Sequence, residues 1–330
     1  ASSPGVSVLY RCRFMGLRAL ANAVLMGDKR LLFSDTDSGF LMYQITGRSW
    51  IALGDPVGAT AVAEELVWRF RELSDRHGGW SAFYQVSGER LPLYVDLGLA
   101  ALKIGEEARV PLPDFSLEGG ARADLRQAHR RAERDGASFE IIPVQRVREY
   151  IPQLSRISDA WLEEKATAEK RFSVGAFSAG YIANFPVALV RCEGYPVAFA
   201  NLWPTASLEE LSVDLMRFGP DAPRSAMDYL FIELMLWGHR QGYRWFNLGM
   251  APLAGLERHP LAPAWHRVGN FVFRHGEHFY NFDGLRRYKA KFDPVWEPRY
   301  LMAPGGMALP RILIDVSRLI AGGVKEVFVK

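Results

Sequence analysis

The sequence predicts an α/β protein that contains two copies of one strand–helix–strand unit. In each copy a strand ends at a glycine, an amphipathic helix follows, and a second strand begins at a tryptophan. These landmarks are Gly54 and Trp80 in the first copy and Gly219 and Trp245 in the second, at equal intervals. Repetition of one unit at a fixed length is typical of a duplicated fold.

Each element is predicted from apolar periodicity and from the residues that interrupt it. Gly47 and Arg48 separate two short strand-like runs, which therefore form a hairpin, and Val62, Leu66 and Phe70 recur at helical spacing. In chain order, we predict strands at 39–46 and 49–53, a helix over 60–77, strands at 80–86 and 101–110, a connector at 111–120, a helix over 121–135, strands at 197–202 and 208–216, a helix over 225–241, a strand at 245–248 and a helix over 309–321.

The composition is that of an ordinary globular protein of about two domains. Of 330 residues, 49% are hydrophobic and 23% are charged, which excludes a disordered or collagen-like chain. No run of about 18 apolar residues occurs, so we predict no membrane-spanning helix. Cys12 and Cys192 are far apart, which suits a reducing compartment and excludes a cysteine-rich zinc site. Because the chain starts without Met, we expect it to be a piece of a longer protein.

Two short segments concentrate positive charge. Segments 122–134 and 284–299 each hold five cations and two carboxylates. Each segment therefore carries a net charge of +3, which equals the net charge of the whole chain. In the first segment, arginines recur every fourth residue on one helix face, where they repel each other unless an anion lies against them. The alternative is a solvated face that Asp124 and Glu133 partly neutralise. We define the basic stripe as Arg122, Arg126, Arg130 and Arg134.

A carboxylate interrupts the otherwise apolar strand before the second break. Ser212, Asp214 and Met216 should share one face of this strand, with Arg217 at its end beside Gly219. A carboxylate inside a strand needs a partner, and the ends of strands next to a chain break are where α/β folds bind ligands. We therefore predict a ligand site at Asp214, with a purely structural Asp–Arg pair as the alternative.

Segment 286–292 mixes basic residues with aromatic and small ones, a composition suited to phosphate contact and ring stacking. In an extended conformation, Arg287, Lys289 and Lys291 share one face. The alternative is a solvated edge strand that its charges protect from pairing. Just before this segment, Glu277 and His278 lie among aromatic residues and are interpreted as mostly structural.

Several catalytic motifs are absent from the sequence. There is no P-loop, no Gly-x-Ser-x-Gly elbow and no His-Glu-x-x-His. An enzyme that uses acetyl-CoA should also carry Arg/Gln-x-x-Gly-x-Gly/Ala between a strand and a helix. The corresponding loop, 217–226, lacks that pattern. The sequence therefore predicts α/β acyltransferase architecture without a CoA site.

The sequence resembles the C-terminal catalytic domain of the aminoacyl-phosphatidylglycerol synthases, most closely the alanyl-transferring members. The resemblance implies tandem GNAT-type acyltransferase folds joined by a long basic helix. It places one GNAT-like subdomain at 1–118, the basic connecting helix at 119–136 and a second subdomain with a C-terminal helix at 137–330. Nearly the whole chain is covered, and the motifs that carry the resemblance are 47–58, 121–132, 169–173, 212–217, 246–253 and 280–292.

The resemblance also implies a function and its partners. Members of this family transfer an amino acid, here expected to be alanine, from aminoacyl-tRNA to the glycerol hydroxyl of phosphatidylglycerol. The transfer takes place at the cytoplasmic face of the bacterial inner membrane, behind an N-terminal transmembrane domain, and lowers the negative charge of the membrane. Resistance to cationic antimicrobials is the expected consequence. One ester is exchanged for another, so no cofactor and no metal are expected.

Site residues follow from the same resemblance. Asp214 is the expected general base or the anchor of the substrate α-ammonium, Arg217 orients it and binds a phosphate, and Lys289 binds a phosphate or the developing oxyanion. Arg171 and Tyr181 are expected in the pocket. The contacts to tRNA or lipid phosphates are expected from Arg122, Arg126, Arg130, Arg134, Arg287 and Lys291.

Two other functions remain open at this point. A Fem-type ligase uses aminoacyl-tRNA on the same tandem fold but modifies an amine of a peptidoglycan precursor. A non-catalytic module that binds nucleic acid or membrane would carry similar basic surfaces. The first differs in its acceptor, and the second predicts binding that survives the loss of Asp214.

Overall fold

The computed structural model describes residues 17–165, 169–254 and 282–322. A 3-10 helix, Ala19–Met26, precedes the first strand. The strands are β1 (Arg30–Phe33), β2 (Phe40–Thr46), β3 (Ser49–Leu53), β4 (Trp80–Ser87), β5 (Ala100–Pro111), β6 (Ala137–Ile142), β7 (Val187–Cys192), β8 (Tyr195–Pro204), β9 (Glu210–Phe218), β10 (Trp245–Pro252) and β11 (Val295–Ala303). The α-helices are α1 (Thr60–Arg76), α2 (Leu91–Asp96), α3 (Ala123–Arg134), α4 (Val147–Lys165), α5 (Ala179–Ile182), α6 (Ala226–Arg240), α7 (Phe282–Ala290) and α8 (Ala308–Ile320).

The strands form one mixed sheet in the order β1-β2-β3-β4-β11-β5-β10-β9-β8-β7-β6. Two neighbouring pairs within the described ranges, β3 with β4 and β9 with β10, are parallel. A helix crosses over between the members of each pair, α1 in the first copy and α6 in the second. These are the two units predicted from the sequence, and the α/β fold with two copies of one unit is confirmed.

Strand β11 connects the two copies into one sheet. It pairs with β4 on one side and with β5 on the other, both antiparallel. Beyond β5, β10 continues the sheet into the second copy. Residues 295–303 lie in the predicted second subdomain, 137–330, yet they complete the sheet of the first copy. The subdomain boundaries remain a prediction. The hydrogen bonds of the sheet join strands from both sides of these boundaries.

Three large apolar clusters cover the sheet, and a fourth, smaller one lies around Phe40. The first extends through both copies and joins strand residues such as Ile51 and Phe199 to Leu154 of α4 and Ile312 of α8. In the second copy, α3, α6 and residues of β5 and β10 share another cluster. The third cluster packs α1 and α2 on the first copy, around Phe70. Because the first cluster spans both copies, a site in one copy can receive side chains from the other.

Residues 286–290 are helical and residues 291–292 form a turn, so this segment does not have the extended conformation considered for it. Tyr288 and Phe292 both pack on Phe231 of α6, with ring centroids 6.0 and 5.7 Å away. These apolar contacts four residues apart favour a helix over a strand. Lys289 is buried, whereas Arg287 and Lys291 are exposed. The shared face that an extended segment would give these three residues does not form.

The basic helix forms as predicted. α3 spans Ala123–Arg134, and a 3-10 turn over Gly120–Arg122 precedes it. Within the described ranges, no helix combines the length and the apolar composition needed to cross a bilayer. Cys12, Glu277 and His278 lie outside the described residues.

Candidate active site

The parallel strands β9 and β10 separate part-way along their length. They pair from Glu210 and Trp245 as far as Ser212 and Asn247, and both strands continue beyond that point. A β-bulge lies in each strand just past the separation. Bulges redirect side chains and are frequent next to active sites. The opened end of this strand pair is therefore the candidate site.

The bulge in β9 places Asp214. Asp214 and Leu215 together stand opposite one residue of β8, Asn201, whose side-chain oxygen accepts the Leu215 N–H at 2.9 Å. Leu215 lies in the cluster that spans both copies, whereas Val213 and Met216 both pack on the cluster around α6. Strict alternation along 212–216 was therefore a wrong prediction, because the bulge inserts an extra residue into the strand.

Two donors hold the Asp214 carboxylate. The Tyr181 hydroxyl donates to Oδ2 at 2.6 Å, and the Gly175 backbone N–H donates to Oδ1 at 2.8 Å. The Trp203 indole N–H in turn donates to the Tyr181 hydroxyl oxygen at 3.2 Å. A Cβ built at Gly175 would overlap the Asp214 carboxylate, so only glycine permits this approach. The structure thus brings Tyr181 to Asp214, as expected.

Partial burial is the main electrostatic influence on Asp214. Loss of hydration raises the pKa of its carboxyl group to about 6, against the lowering effects of the two hydrogen bonds and of the Lys29 and Arg217 charges. Burial and the neighbouring carboxylate raise the pKa of Tyr181 well above its ordinary value, so its hydroxyl stays protonated and donates. A carboxylate that titrates close to neutral pH is suited to proton transfer.

Arg217 is buried beside this carboxylate but has a further partner. Its Nη2 donates to Glu169 at 2.8 Å, and its guanidinium lies 4.0 Å from the ring centroid of Trp161 in α4. Its charge also lowers the pKa of Asp214. Arg217 therefore acts on Asp214 electrostatically while it fixes the segment that begins at Glu169.

The bulge in β10 forms a binding site for the Lys289 ammonium group. Leu248 and Gly249 stand opposite Ala108 of β5, and Gly249 has a positive φ of 79°. The carbonyl groups of Gly249 and Met250 accept from Lys289 Nζ at 3.0 and 2.8 Å. Burial lowers the pKa of Lys289 to about 7. Within the described residues, these two bonds leave one ammonium N–H to donate to a ligand.

The basic stripe divides into two parts. Arg126 donates to the backbone carbonyls of Leu117 and Gly119, and Arg122 packs against Phe115, so these two hold the connector in place. Arg130 and Arg134 are exposed. They line an open groove along α3 together with Ala123, Arg126, Gln127 and Glu133. The exposed part of the stripe is therefore its C-terminal half.

Other predicted binding residues lie on the surface. Arg171 is exposed, and the structure places its neighbour Phe172 in the core instead. Arg287 is exposed on α7, and Lys291, which follows α7, pairs with Asp228 at 3.2 Å. Because Arg171 is exposed, its position does not agree with the expectation that it lies in the pocket.

Sequence reasoning assigned no role to three residues at the site. Lys29 and Asp28 come from the turn before β1, far along the chain from Asp214. The Lys29 charge lowers the pKa of Asp214, and Asp28 accepts from the Phe172 N–H, but no local pattern signals either effect. Glu169 lay within the motif 169–173, so its place beside Arg217 had a signal, although no role was assigned to it.

A second cavity, of about 470 Å³, lies where the two copies meet. Buried ion pairs form part of its wall. Glu210, fully buried, accepts from Arg109 at 2.9 Å and from the backbone N–H of Ala19 at 2.8 Å. Arg109 also pairs with Glu297 of β11 at 2.7 Å. This network connects β5, β9 and β11 and so fixes one copy against the other.

A model of the family described as phosphatidylglycerol lysyltransferase, C-terminal, matches residues 14–303. The chain belongs to this family. The resemblance found in the sequence is thereby confirmed.

Individual relatives agree with this assignment. The phosphatidylglycerol lysyltransferase of Staphylococcus aureus is 36% identical over 302 residues, which are 91% of this chain and 36% of that protein. The chain thus spans about a third of the length of the curated relatives it matches. A C-terminal domain from Agrobacterium fabrum, named for lysylphosphatidylglycerol synthetase, has 45% identity and a TM-score of 0.88, covering 97% of this chain and 99% of that one. The L-PGS of Bacillus licheniformis has 36% identity and a TM-score of 0.85, covering 96% of each chain.

Proposed function

We propose that this chain transfers an aminoacyl group from aminoacyl-tRNA to a glycerol hydroxyl of phosphatidylglycerol. The single observation that carries the proposal is the Asp214 carboxylate, poised to titrate close to neutral pH where β9 and β10 separate. Family membership supplies the acceptor, because the curated relatives are named for phosphatidylglycerol. The exposed half of the basic stripe suits a polyanionic donor.

The reaction exchanges one ester for another. The lipid hydroxyl attacks the carbonyl carbon of the aminoacyl ester while Asp214 accepts its proton, with Tyr181 and Gly175 holding the carboxylate in place. A new C–O bond forms to the lipid, and the bond to the terminal ribose oxygen of the tRNA breaks. The proton then passes from Asp214 to that ribose oxygen. Lys289 stabilises the negative charge that develops on the carbonyl oxygen.

Alanine is the transferred amino acid that the sequence motifs favour, while the curated relatives are named for lysine. The acceptor lipid puts the reaction at a membrane surface, and we place it at the cytoplasmic leaflet of the bacterial inner membrane, where charged tRNA is present. Converting an anionic lipid to its aminoacyl ester lowers the negative charge of the membrane, and resistance to cationic antimicrobials follows from this change.

The loop before α6 argues against a CoA donor. Pro220 and Pro223 have no backbone N–H to offer a pyrophosphate, and Asp221 adds negative charge. The N–H groups of Ala222 and Ala226 are already donated within the loop, to Gly219 and Pro223. Acetyl-CoA should therefore neither bind at micromolar concentration nor support transfer, and saturable CoA binding by calorimetry would contradict the aminoacyl-tRNA proposal.

Transfer can be measured directly with the purified chain. Radiolabelled alanyl-tRNA and lysyl-tRNA are incubated with phosphatidylglycerol in micelles, and the lipid is extracted and counted. Label in the lipid from one or both donors is expected, and the ratio identifies the amino acid. Label that instead enters a peptidoglycan-precursor amine indicates a Fem-type ligase. Binding of tRNA without any transfer, unchanged in Asp214→Asn, indicates a non-catalytic module.

A further inference from the structure

The first copy repeats the strand separation that forms the candidate active site in the second copy. Parallel pairing of β3 with β4 stops at Leu53 and Tyr84, and the next residue, Gln85, bulges out of the pairing between β4 and β11. Gln85 has a positive φ of 66°, as Gly249 has a positive φ at the bulge of β10. Because α/β folds bind ligands beyond the carboxyl ends of parallel strands, the first copy offers a second position for a ligand.

The cavity of about 470 Å³ lies at this position. Pockets for small ligands commonly have volumes of roughly 300 to 1,000 Å³. Leu17, Ala59 and Glu89 are exposed and bring the cavity to the surface of the protein. Part of the wall consists of residues that end or follow the two strands, which are 55–59 after β3 and Gln85, Ser87, Glu89 and Arg90 in and after β4.

The carboxylates in the wall do not need a further cation. Asp55 accepts from the Tyr94 hydroxyl at 2.8 Å and from a backbone N–H at 3.0 Å. Glu107 and Glu210 both pair with arginines. Glu89 is exposed, so water solvates its charge. A ligand in this cavity therefore meets carboxylates that are already satisfied.

Arg90 is the cation in the wall whose charge is not matched. Its Nη1 atom is buried and has no hydrogen-bond partner among the described residues, where Arg90 also forms no ion pair. The other two arginines of the wall, Arg18 and Arg299, pair with glutamates. A buried donor without a partner is unfavourable, and a guanidinium is suited to phosphate. Arg90 thus points to a ligand that carries an anionic oxygen.

We propose that this cavity binds the phosphodiester headgroup of an anionic phospholipid, with Arg90 donating to the phosphate. A phosphodiester carries one negative charge, which matches the one unpaired arginine. Leu17, Leu20 and Met42 give the wall an apolar part that suits the glycerol and the first acyl carbons, and Leu17 is 65% exposed. The choice of a lipid rests on the proposed function, since its acceptor is phosphatidylglycerol.

This lipid site is separate from the residues assigned to transfer. Neither Asp214 nor Lys289 lines the cavity. The bound lipid is therefore a tether that holds the chain on an anionic lipid surface, and the acceptor that reacts is a second lipid molecule.

Met42 supplies a readout inside the cavity, because it is buried in the wall. Protein labelled with 13C at the methionine methyl groups is titrated with dihexanoyl-phosphatidylglycerol below its micelle concentration, and Met42→Leu identifies the resonance. We expect a saturable shift in the wild type and an affinity lower by at least about tenfold in Arg90→Gln. Arg156→Gln, at an exposed arginine of α4, is the control and should bind as the wild type does.

Inorganic phosphate is the second ligand, and it distinguishes a lipid headgroup from a free anion. It should bind more weakly than the lipid, because it does not reach the apolar part of the wall. Equal affinities for phosphate and lipid would overturn the lipid assignment. An unmoved Met42 resonance in the wild type, or equal lipid affinity in Arg90→Gln, would overturn the site itself.

A second variant decides the matter should Arg90→Gln fail to fold. Ala59 lines the cavity and is the N-cap of α1, a position that favours aspartate. Ala59→Asp should therefore fold, and its carboxylate should weaken lipid binding by repelling the phosphate. Lipid affinity that stays at the wild-type value in Ala59→Asp contradicts the proposal.

The binding experiment and the transfer assay fail separately. A wild-type chain that shifts Met42 but transfers no aminoacyl group contradicts the proposed function and leaves the lipid site standing. A chain that transfers the aminoacyl group without any shift of Met42 contradicts the lipid site alone.

Discussion

At the scale of single residues, Asp214 and Lys289 together set a narrow pH window. Burial raises the pKa of Asp214 to about 6 and lowers the pKa of Lys289 to about 7. Transfer needs the carboxylate form of Asp214 and the ammonium form of Lys289. We expect kcat/KM to follow a bell-shaped pH profile, which falls below about pH 6 and again above about pH 7. Measurement of transfer between pH 5 and 9 checks this.

Asp214→Asn and Lys289→Met are the controls for that profile. Transfer should fall by roughly two orders of magnitude or more in Asp214→Asn, the usual contribution of a general base.

The pKa of Asp214 in the folded chain lies above its ordinary value of 3.8. Its contribution to stability is therefore present below about pH 4 and is lost as the pH rises through about 6. At pH 7.5, Asp214→Asn should melt at or above the wild-type temperature, and near-wild-type activity in that sample would remove Asp214 from the mechanism.

Gly175 sets the distance of closest approach to Asp214. In Gly175→Ala, the added methyl overlaps the carboxylate, so either the segment or Asp214 must move, and transfer should drop by about 100-fold. Gly180→Ala, in α5, adds a methyl where no atom lies within 4 Å and should keep full activity. Equal activities in the two purified variants would show that the Gly175 N–H does not position Asp214.

The sequence allowed Asp214 to be chosen but not its surroundings. A carboxylate in an apolar strand before a chain break is a local signal, and the structure places this carboxylate where β9 and β10 separate. The bulge opposite Asn201 leaves no mark in the alternation, because one extra residue in a strand looks like ordinary sequence. Lys29 had no signal either, since the effect of its charge on the pKa of Asp214 depends on how the two copies pack.

At the scale of elements, the basic helix α3 should bind phosphates through the exposed half of its stripe. Each phosphate contact releases counterions, so the affinity for tRNA falls as the salt concentration rises. Removal of Arg130 and Arg134 should make the slope of log affinity against log salt concentration shallower by roughly 1.5. Arg126 is left in place because it holds the connector. Arg156→Ala, at an exposed arginine of α4, is the control for surface charge. An unchanged slope in Arg130→Ala/Arg134→Ala would exclude this groove as the tRNA site.

Elements were predicted well where the apolar periodicity extends over many residues, and poorly where it covers only a few. The helices α1 and α6 extend over several turns, and their bounds agree with the prediction within about two residues. The seven residues 286–292 fit both an alternating and a helical pattern, and the packing of Tyr288 and Phe292 on α6 decided between them. Tertiary contacts therefore supplied what the local pattern lacked.

At the scale of the whole molecule, the ion pairs around Glu210 hold the copies together. Glu210→Gln keeps the shape of the side chain but removes the fully buried counter-charge of Arg109, which keeps its pair with the partly buried Glu297. The free energy of unfolding should fall by about 3 kcal/mol. Glu72→Gln breaks an exposed pair with Arg76 and should cost about 0.5 kcal/mol or less. Urea denaturation of both variants gives the comparison, and equal values would mean that the network adds no stability.

The position of β11 also has a consequence for the newborn chain. β4 and β5 are complete by Pro111, but the strand that pairs with both of them begins only at Val295. At the usual rate of translation, synthesis of the residues between Pro111 and Val295 takes on the order of ten seconds or longer. During this time the edges of β4 and β5 that pair with β11 stay unpaired. Unpaired edges invite pairing with other chains. A nascent chain stalled before Val295 should therefore recruit chaperones, and one released beyond Ala303 should not.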